Sequence, residues 1–144
     1  MPLHFTLICC FVLSMFVQGV SAQSGWTSVY SNSQIEVSSR PADCEFSFSP
    51  MDNYKAEVLR VKNKTASAIS VTFRLDIHYN GTCRTCSNTE YKITLALGPN
   101  ASFTGDCAYD ASVDKQKLVV FKEYMNRSNN DTYTKFVISS VSIN

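Results

Sequence analysis

Val71-Thr-Phe-Arg-Leu-Asp-Ile-His-Tyr79 alternates without a break. Val71, Phe73, Leu75, Ile77 and Tyr79 fall on one phase, and Thr72, Arg74, Asp76 and His78 on the other. Successive side chains of a β-strand point to opposite faces, so this pattern predicts a half-buried antiparallel strand. The alternation recurs on either side. Tyr91, Ile93, Leu95 and Leu97 alternate with Lys92, Thr94 and Ala96, and Cys44, Phe46 and Phe48 alternate with Glu45 and Ser47. Ala56–Val61 and Leu118–Phe121 are rich in β-formers but break phase, as bulges or burial on both faces would make them do. Tyr133–Ile138 with Val141–Ile143 predicts a last long strand, and Trp26–Val37 one or two more, interrupted at Ser31-Asn-Ser33.

Turn chemistry separates these runs. Asn80-Gly81 is the commonest type I′ hairpin pair, because both of its central residues need a positive φ. Asn63-Lys64, Gly98-Pro-Asn100, Gly105-Asp106 and Ser128-Asn-Asn-Asp131 mark further breaks. Short strands at this spacing, with almost no helical period, predict an all-β chain folded as a single antiparallel β-sandwich. It is not a standard immunoglobulin domain. That fold places a core Trp between two sandwich-bridging cysteines, whereas Trp26 precedes every cysteine of the folded region.

The first residues read differently. Met1–Ala22 holds no Asp, Glu, Lys or Arg, runs apolar from Phe5 to Val17, and closes on Val20-Ser-Ala22. That is a secretory signal peptide with cleavage expected after Ala22, although its basic amino-terminal region is weak. Its core of about 13 residues is short of the ~20 that a spanning helix needs. The expected mature chain is Gln23–Asn144, one secreted extracellular domain. Its carboxyl end, Ser-Val-Ser-Ile-Asn144, lacks the apolar tail of a lipid anchor. Thirteen Lys and Arg interleave with twelve Asp and Glu to a net charge of +1. Such a balance builds no field for nucleic acid or anionic lipid.

Cys44, Cys83, Cys86 and Cys107 form an even set and predict two disulfides, with three pairings open from sequence alone. Five sequons, at Asn63, Asn80, Asn100, Asn126 and Asn130, predict N-glycosylation in turns. A simple meander would bring the Asn63 and Asn100 turns to one end, joined by the Asn126–Asn130 tip. Asn80 and the Cys83–Cys86 loop would lie at the other.

Candidate chemistry is sparse. Cys83-Arg-Thr-Cys86 has the spacing of a redox motif, but it follows an Asn-Gly turn and precedes a strand, with no helix N-terminus nearby to lower a thiol pKa. Zinc would need Cys83 and Cys86 with two of Cys44, Cys107 and His78, in competition with oxidation of the thiols. No metal and no cofactor are expected. His78 is the one histidine outside the leader, and its neighbour Asp76 reads as an ordinary polar partner. Neither a nucleophile elbow nor a zincin motif is present, and no carboxylate pair stands out for glycoside hydrolysis. The chain is therefore expected to bind rather than catalyse. Its partner would be an extracellular or cell-surface protein or a glycan, met through Arg84 and Thr85 of the Cys83–Cys86 loop or through Trp26. Tyr30, Tyr54 and Tyr109 are candidate aromatic neighbours for such a contact. The alternative is a carrier holding a small hydrophobic ligand or lipid between the sheets.

Overall fold

The computed structural model describes residues 25–45 and 49–144. The leader and the alternation at Phe46 and Phe48 lie outside the described residues. In chain order the strands are β1 (Thr27–Ser31), β2 (Ile35–Cys44), β3 (Tyr54–Asn63), β4 (Ile69–Tyr79), β5 (Thr82–Cys83), β6 (Lys92–Leu97), β7 (Ser102–Thr104), β8 (Val119–Tyr124) and β9 (Tyr133–Ile143). A single helical turn, α1 (Val113–Gln116), precedes β8. None of the described helices is long and apolar enough to cross a membrane.

The strands form two antiparallel sheets, each organised on one long central strand. In the first, β3 has β2 on one side along its whole length and the short strands β7 and β8 end to end on the other. β1 extends this sheet beyond β2. In the second, β4 has β9 on one side and β5 and β6 end to end on the other. Inner faces meet in one core. Ile35, Val37, Leu59, Val61 and Val120 pack with Val71, Phe73, Leu75, Ile93 and Leu95, and Phe73 is wholly buried. At ~1.5–3 kcal/mol for each buried large apolar side chain, this cluster dominates the fold's stability.

The alternating strands behave as their sequences predict. Val71, Phe73, Leu75 and Ile77 face the core, as do Ile93, Leu95 and Leu97. The phase break in β3 has both of the expected causes. Val58 and Leu59 are adjacent and both buried, and the register against β8 shifts between Lys55 and Ala56. Asn80 and Gly81 carry φ of 51° and 76°, the pair of positive values that a type I′ turn requires.

Each central strand is bordered by an interrupted edge, and a disulfide sits at each interruption. Between β7 and β8 the chain leaves the sheet for residues 105–118, and Cys107 there bonds Cys44 at the end of β2. Between β5 and β6 it leaves for residues 84–91, closed by Cys83–Cys86. Buried backbone groups exposed by such gaps must find partners. Leu59 is served by Gly105 and Leu118, through Gly105 N–H to its carbonyl and its own N–H to the Leu118 carbonyl, both 2.8 Å. Thr85 serves β4, its hydroxyl accepting from Ile77 N–H at 2.7 Å and donating to the Leu75 carbonyl at 2.6 Å.

Cys44 and Cys107 both belong to the first sheet and its connection, so this bridge does not cross between sheets as in an immunoglobulin core. The Asn63 and Asn100 turns share one end, where Asn63 N–H bonds the Ala101 carbonyl and Asn100 N–H the Thr65 carbonyl. The Asn126–Asn130 tip does not join them. It lies at the opposite end, where Asn80 Nδ2 bonds Asp131 at 2.6 Å and Asn80 N–H bonds the Thr132 carbonyl. β8 returns along β3 to Tyr54, and β9 starts opposite Tyr79, so a crossover between sheets replaces the meander.

Candidate functional site

Residues 106–117 form a compact loop whose two ends meet at Leu59, the arrangement of an Ω-loop. Gly105 makes the neck. A Cβ there would stand 2.5 Å from the Leu118 carbonyl oxygen and 2.8 Å from the Leu118 Cβ, so only glycine lets the two legs close. Above the neck, Asp106 N–H bonds the Lys115 carbonyl at 3.2 Å, and Ala108 N–H bonds Asp106 Oδ1 at 3.0 Å. Gln116 Nε2 reaches back to the Ala108 and Tyr109 carbonyls at 3.4 and 3.3 Å. The Cys44–Cys107 bond ties this loop to the end of β2 as well.

This rigid loop leaves apolar side chains in solvent. Tyr109 is 58% exposed and Val113 66%. Single exposed hydrophobics are ordinary, but these two flank clefts. One, of about 540 Å³, is lined by Tyr54, Cys107, Ala108, Tyr109, Gln116 and Val119. Its neighbour, about 360 Å³, shares Gln116 and Val119 and adds Tyr91, Ile93 and Val113. Sequence reasoning named Tyr54 and Tyr109 only as possible neighbours of Trp26 and missed the loop that brings those two tyrosines to one cleft. The signal was there: from Gly105 to Lys117 no strand alternation interrupts a cysteine-anchored run.

A second group of clefts opens where the sheets part at the Asn80 end. About 540 Å³ is lined by Tyr79, Phe121, Tyr124 and residues 127–131. A further 440 Å³ lies between Ile77 and Tyr79 of one sheet and Val119 and Phe121 of the other, with Tyr91, Arg84, Thr85 and Asn88 of the 84–91 excursion and Asp131 completing its wall. Tyr79 donates to the Phe121 carbonyl at 2.6 Å and packs edge-on against Tyr133, with centroids 6.0 Å apart. Burial pushes the Tyr79 phenol up to about 12, helped by Tyr91, Tyr133 and Asp131. It likewise pushes Tyr133 up to about 12, with Glu57 adding and a Phe136 backbone hydrogen bond opposing.

These phenols set an alkaline limit. An unfolded tyrosine loses its proton near pH 10, whereas these two hold theirs to about 12 in the folded chain. Between those values the unfolded state binds fewer protons, so stability falls as pH rises; below pH 10 the contribution is constant. Denaturant unfolding at pH 9 to 12 is expected to show that decline, and Tyr79→Phe to make it shallower. An unchanged slope would contradict the assignment.

The residues singled out from sequence do not form one site. Arg84 is exposed and pairs with Asp131 at 3.3 Å. Thr85, expected at a contact surface, is instead 4% exposed with its hydroxyl spent on β4, so it holds the loop rather than a partner. Trp26 lies elsewhere, half-buried over the outer face of the first sheet, with the Arg40 and Arg60 guanidiniums 4.9 and 4.5 Å from its ring. Asn80, Asn100, Asn126 and Asn130 are exposed. Asn63 differs from those four: it is wholly buried, and its Nδ2 donates to the Ser67 and Gly98 carbonyls at 2.7 and 2.8 Å.

His78, Cys83 and Cys86 gather their ligand atoms within 4.8 Å, but both sulfurs are committed to the disulfide and offer no thiolate. Cys44 and Cys107, proposed as companions, are bonded to each other. Asp76 does not orient His78. Arg74 grips both carboxylate oxygens, at 2.6 and 3.1 Å, and this contact first, with Ser139 and His78 helping against desolvation, holds the Asp76 pKa low. No family model, curated protein or solved structure matches the chain.

Proposed function

We propose that the chain is a secreted, extracellular, non-catalytic binding module that docks a protein partner on the 106–117 loop. The observation that carries this reading is the exposure of Tyr109 and Val113 on a loop already fixed by Cys44–Cys107. Aromatic anchors beside a preformed cleft are where interfaces concentrate their binding energy, and a rigid loop loses little entropy on docking. Sequons stand at the two ends of the sandwich, and none lies on this loop. The disulfides are compatible with secretion.

A small ligand with an apolar body is the second reading, supported by the cleft that Ile77, Tyr79, Tyr91, Val119 and Phe121 line on one side and Arg84, Thr85, Asn88 and Asp131 on the other. Phe73, Leu75 and Leu59 fill the middle of the sandwich, so such a ligand would be confined to this lateral opening. A lipid-sized adduct in native mass spectra of the secreted protein would bring this reading forward.

The test is binding of tetramerised secreted protein to intact cells, titrated to saturation. Tyr109→Ala and Val113→Asp are each expected to weaken binding tenfold or more, with thermal stability unchanged. Thr94→Ala, on the outer face of the second sheet, is expected to bind as wild type. Equal binding by all three, or no saturable binding on any cell type of the source tissue, would overturn the proposal.

A further inference from the structure

We propose that Cys83–Cys86 is an exchangeable disulfide, attacked at the Cys86 sulfur by an external thiolate and releasing Cys83 as the leaving thiolate. This stands apart from the binding reading. Both cysteines are half-buried; in the other bridge Cys107 is half-buried too but Cys44 is 1% exposed, so only the short bridge has both of its ends partly open to solvent. The sequence argument against exchange was the lack of a helix to stabilise a thiolate. The fold supplies that stabilisation another way. Cys86 N–H points at Cys83 Sγ from 3.2 Å. His78 is the cross-strand neighbour of Cys83, and its ring nitrogen lies within 4.8 Å of both sulfurs. A peptide N–H and a protonated imidazole are groups that favour the anionic form of a thiol.

The loop also survives opening. Arg84 N–H bonds the Ile77 carbonyl at 2.8 Å, Asn88 N–H bonds the Thr85 carbonyl at 3.0 Å, and the buried Thr85 hydroxyl bridges Leu75 and Ile77. These contacts hold residues 84–88 against β4 with or without the S–S bond. The bridge links positions only three apart, so opening it frees little chain. A solvent-reachable bridge of this kind has the character of a labile rather than a structural disulfide.

The reaction balances with a dithiol as reductant. Its first thiolate bonds Cys86 Sγ, the S–S bond breaks, and the electron pair stays on Cys83 Sγ, which takes up a proton. The second thiol, deprotonated, attacks the first reductant sulfur and expels Cys86 as a thiolate, which is protonated in turn. The dithiol is oxidised to a disulfide by two electrons, and Cys83–Cys86 is reduced to two thiols. An external disulfide runs the sequence backwards.

The experiment is timed reduction of the full secreted chain with dithiothreitol, quenched with N-ethylmaleimide and mapped by mass spectrometry. Cys83 and Cys86 are expected to label at least tenfold faster than Cys44 and Cys107, with the circular dichroism spectrum retained. In Cys86→Ser, the alkylation rate of Cys83 is expected to titrate below the ordinary thiol value of about 8.5, and adding His78→Gln to move it up. With glutathione, the mixed disulfide is expected on Cys86. Simultaneous opening of both bridges, opening only with loss of fold, a Cys83 midpoint at or above the ordinary value, or a mixed disulfide on Cys83 would each overturn the proposal.

Discussion

Asn63→Asp is expected to destabilise the fold by about 3–5 kcal/mol at neutral pH, the usual loss when a buried charge is left without a partner. The exchange is nearly isosteric, so packing is not what changes. Asn63 Nδ2 donates to the Ser67, Leu97 and Gly98 carbonyls, the last two closing the end of β6. An aspartate would turn a carboxylate oxygen toward those three acceptors with no hydrogen between them. Thermal melts should drop by roughly 10–20 °C for a domain of this size. Burial raises the new carboxyl's pKa, so the loss should shrink as pH falls toward 4 and the acid regains a proton to donate. A melting point within 3 °C of wild type at pH 7 would contradict the network.

The same geometry bears on glycosylation. Thr65, the third residue of that sequon, donates from its backbone N–H at 2.9 Å and its hydroxyl at 2.8 Å to Asn63 Oδ1. The Asn-x-Thr pattern is thus also an Asx-type turn, in which both side chains are used up inside the protein. Glycopeptide mapping of the chain expressed in eukaryotic cells is expected to find Asn63 empty. A glycan on it would contradict this fold at that end.

Removing Cys44–Cys107 by paired Cys→Ala substitution is expected to lower stability by about 4 kcal/mol, on the chain-entropy estimate for a ring of this length. The bridge spans 63 positions and Cys83–Cys86 only 3. By the same estimate the short ring contributes about 2 kcal/mol at most. The two bridges are therefore unequal, and denaturant midpoints of the two double variants should separate clearly. Equal losses would show that the entropic account fails here. Without its anchor the 106–117 loop should also become protease-sensitive near Tyr109, ahead of global unfolding.

The sequence carried the strands well because their two faces differ. Val71 to Ile77 could face only one way, and Asn80-Gly81 could make only one kind of turn. What it could not carry was long-range. Three disulfide pairings are equally good on paper, and only the pairing of β8 with the first half of β3 brings Cys107 to Cys44. That pairing also sends the Asn126–Asn130 tip to the Asn80 end, against the meander expectation. The burial of Thr85 and of Asn63 was hidden from the sequence for a shared reason. Short polar side chains in loops look solvent-directed until a gap in the neighbouring strand, or a cluster of free carbonyls, claims their hydrogen bonds. Gly105 is the residue through which the Ω-loop was most nearly legible, since a glycine just before a cysteine-anchored, non-alternating run marks a close backbone approach.

The claim that the 106–117 loop is the contact surface is tested most directly by site-specific photocrosslinking. A benzophenone amino acid would be placed at position 109 or 113, or at 72 or 94 on the outer face of the second sheet, and the purified protein irradiated on cells that bind it. Adducts of one discrete mass from 109 and 113, absent from 72 and 94 and competed by unlabelled wild type, are the predicted result. Adducts from 72 and 94 alone, or from all four positions alike, would place the contact elsewhere and contradict the account.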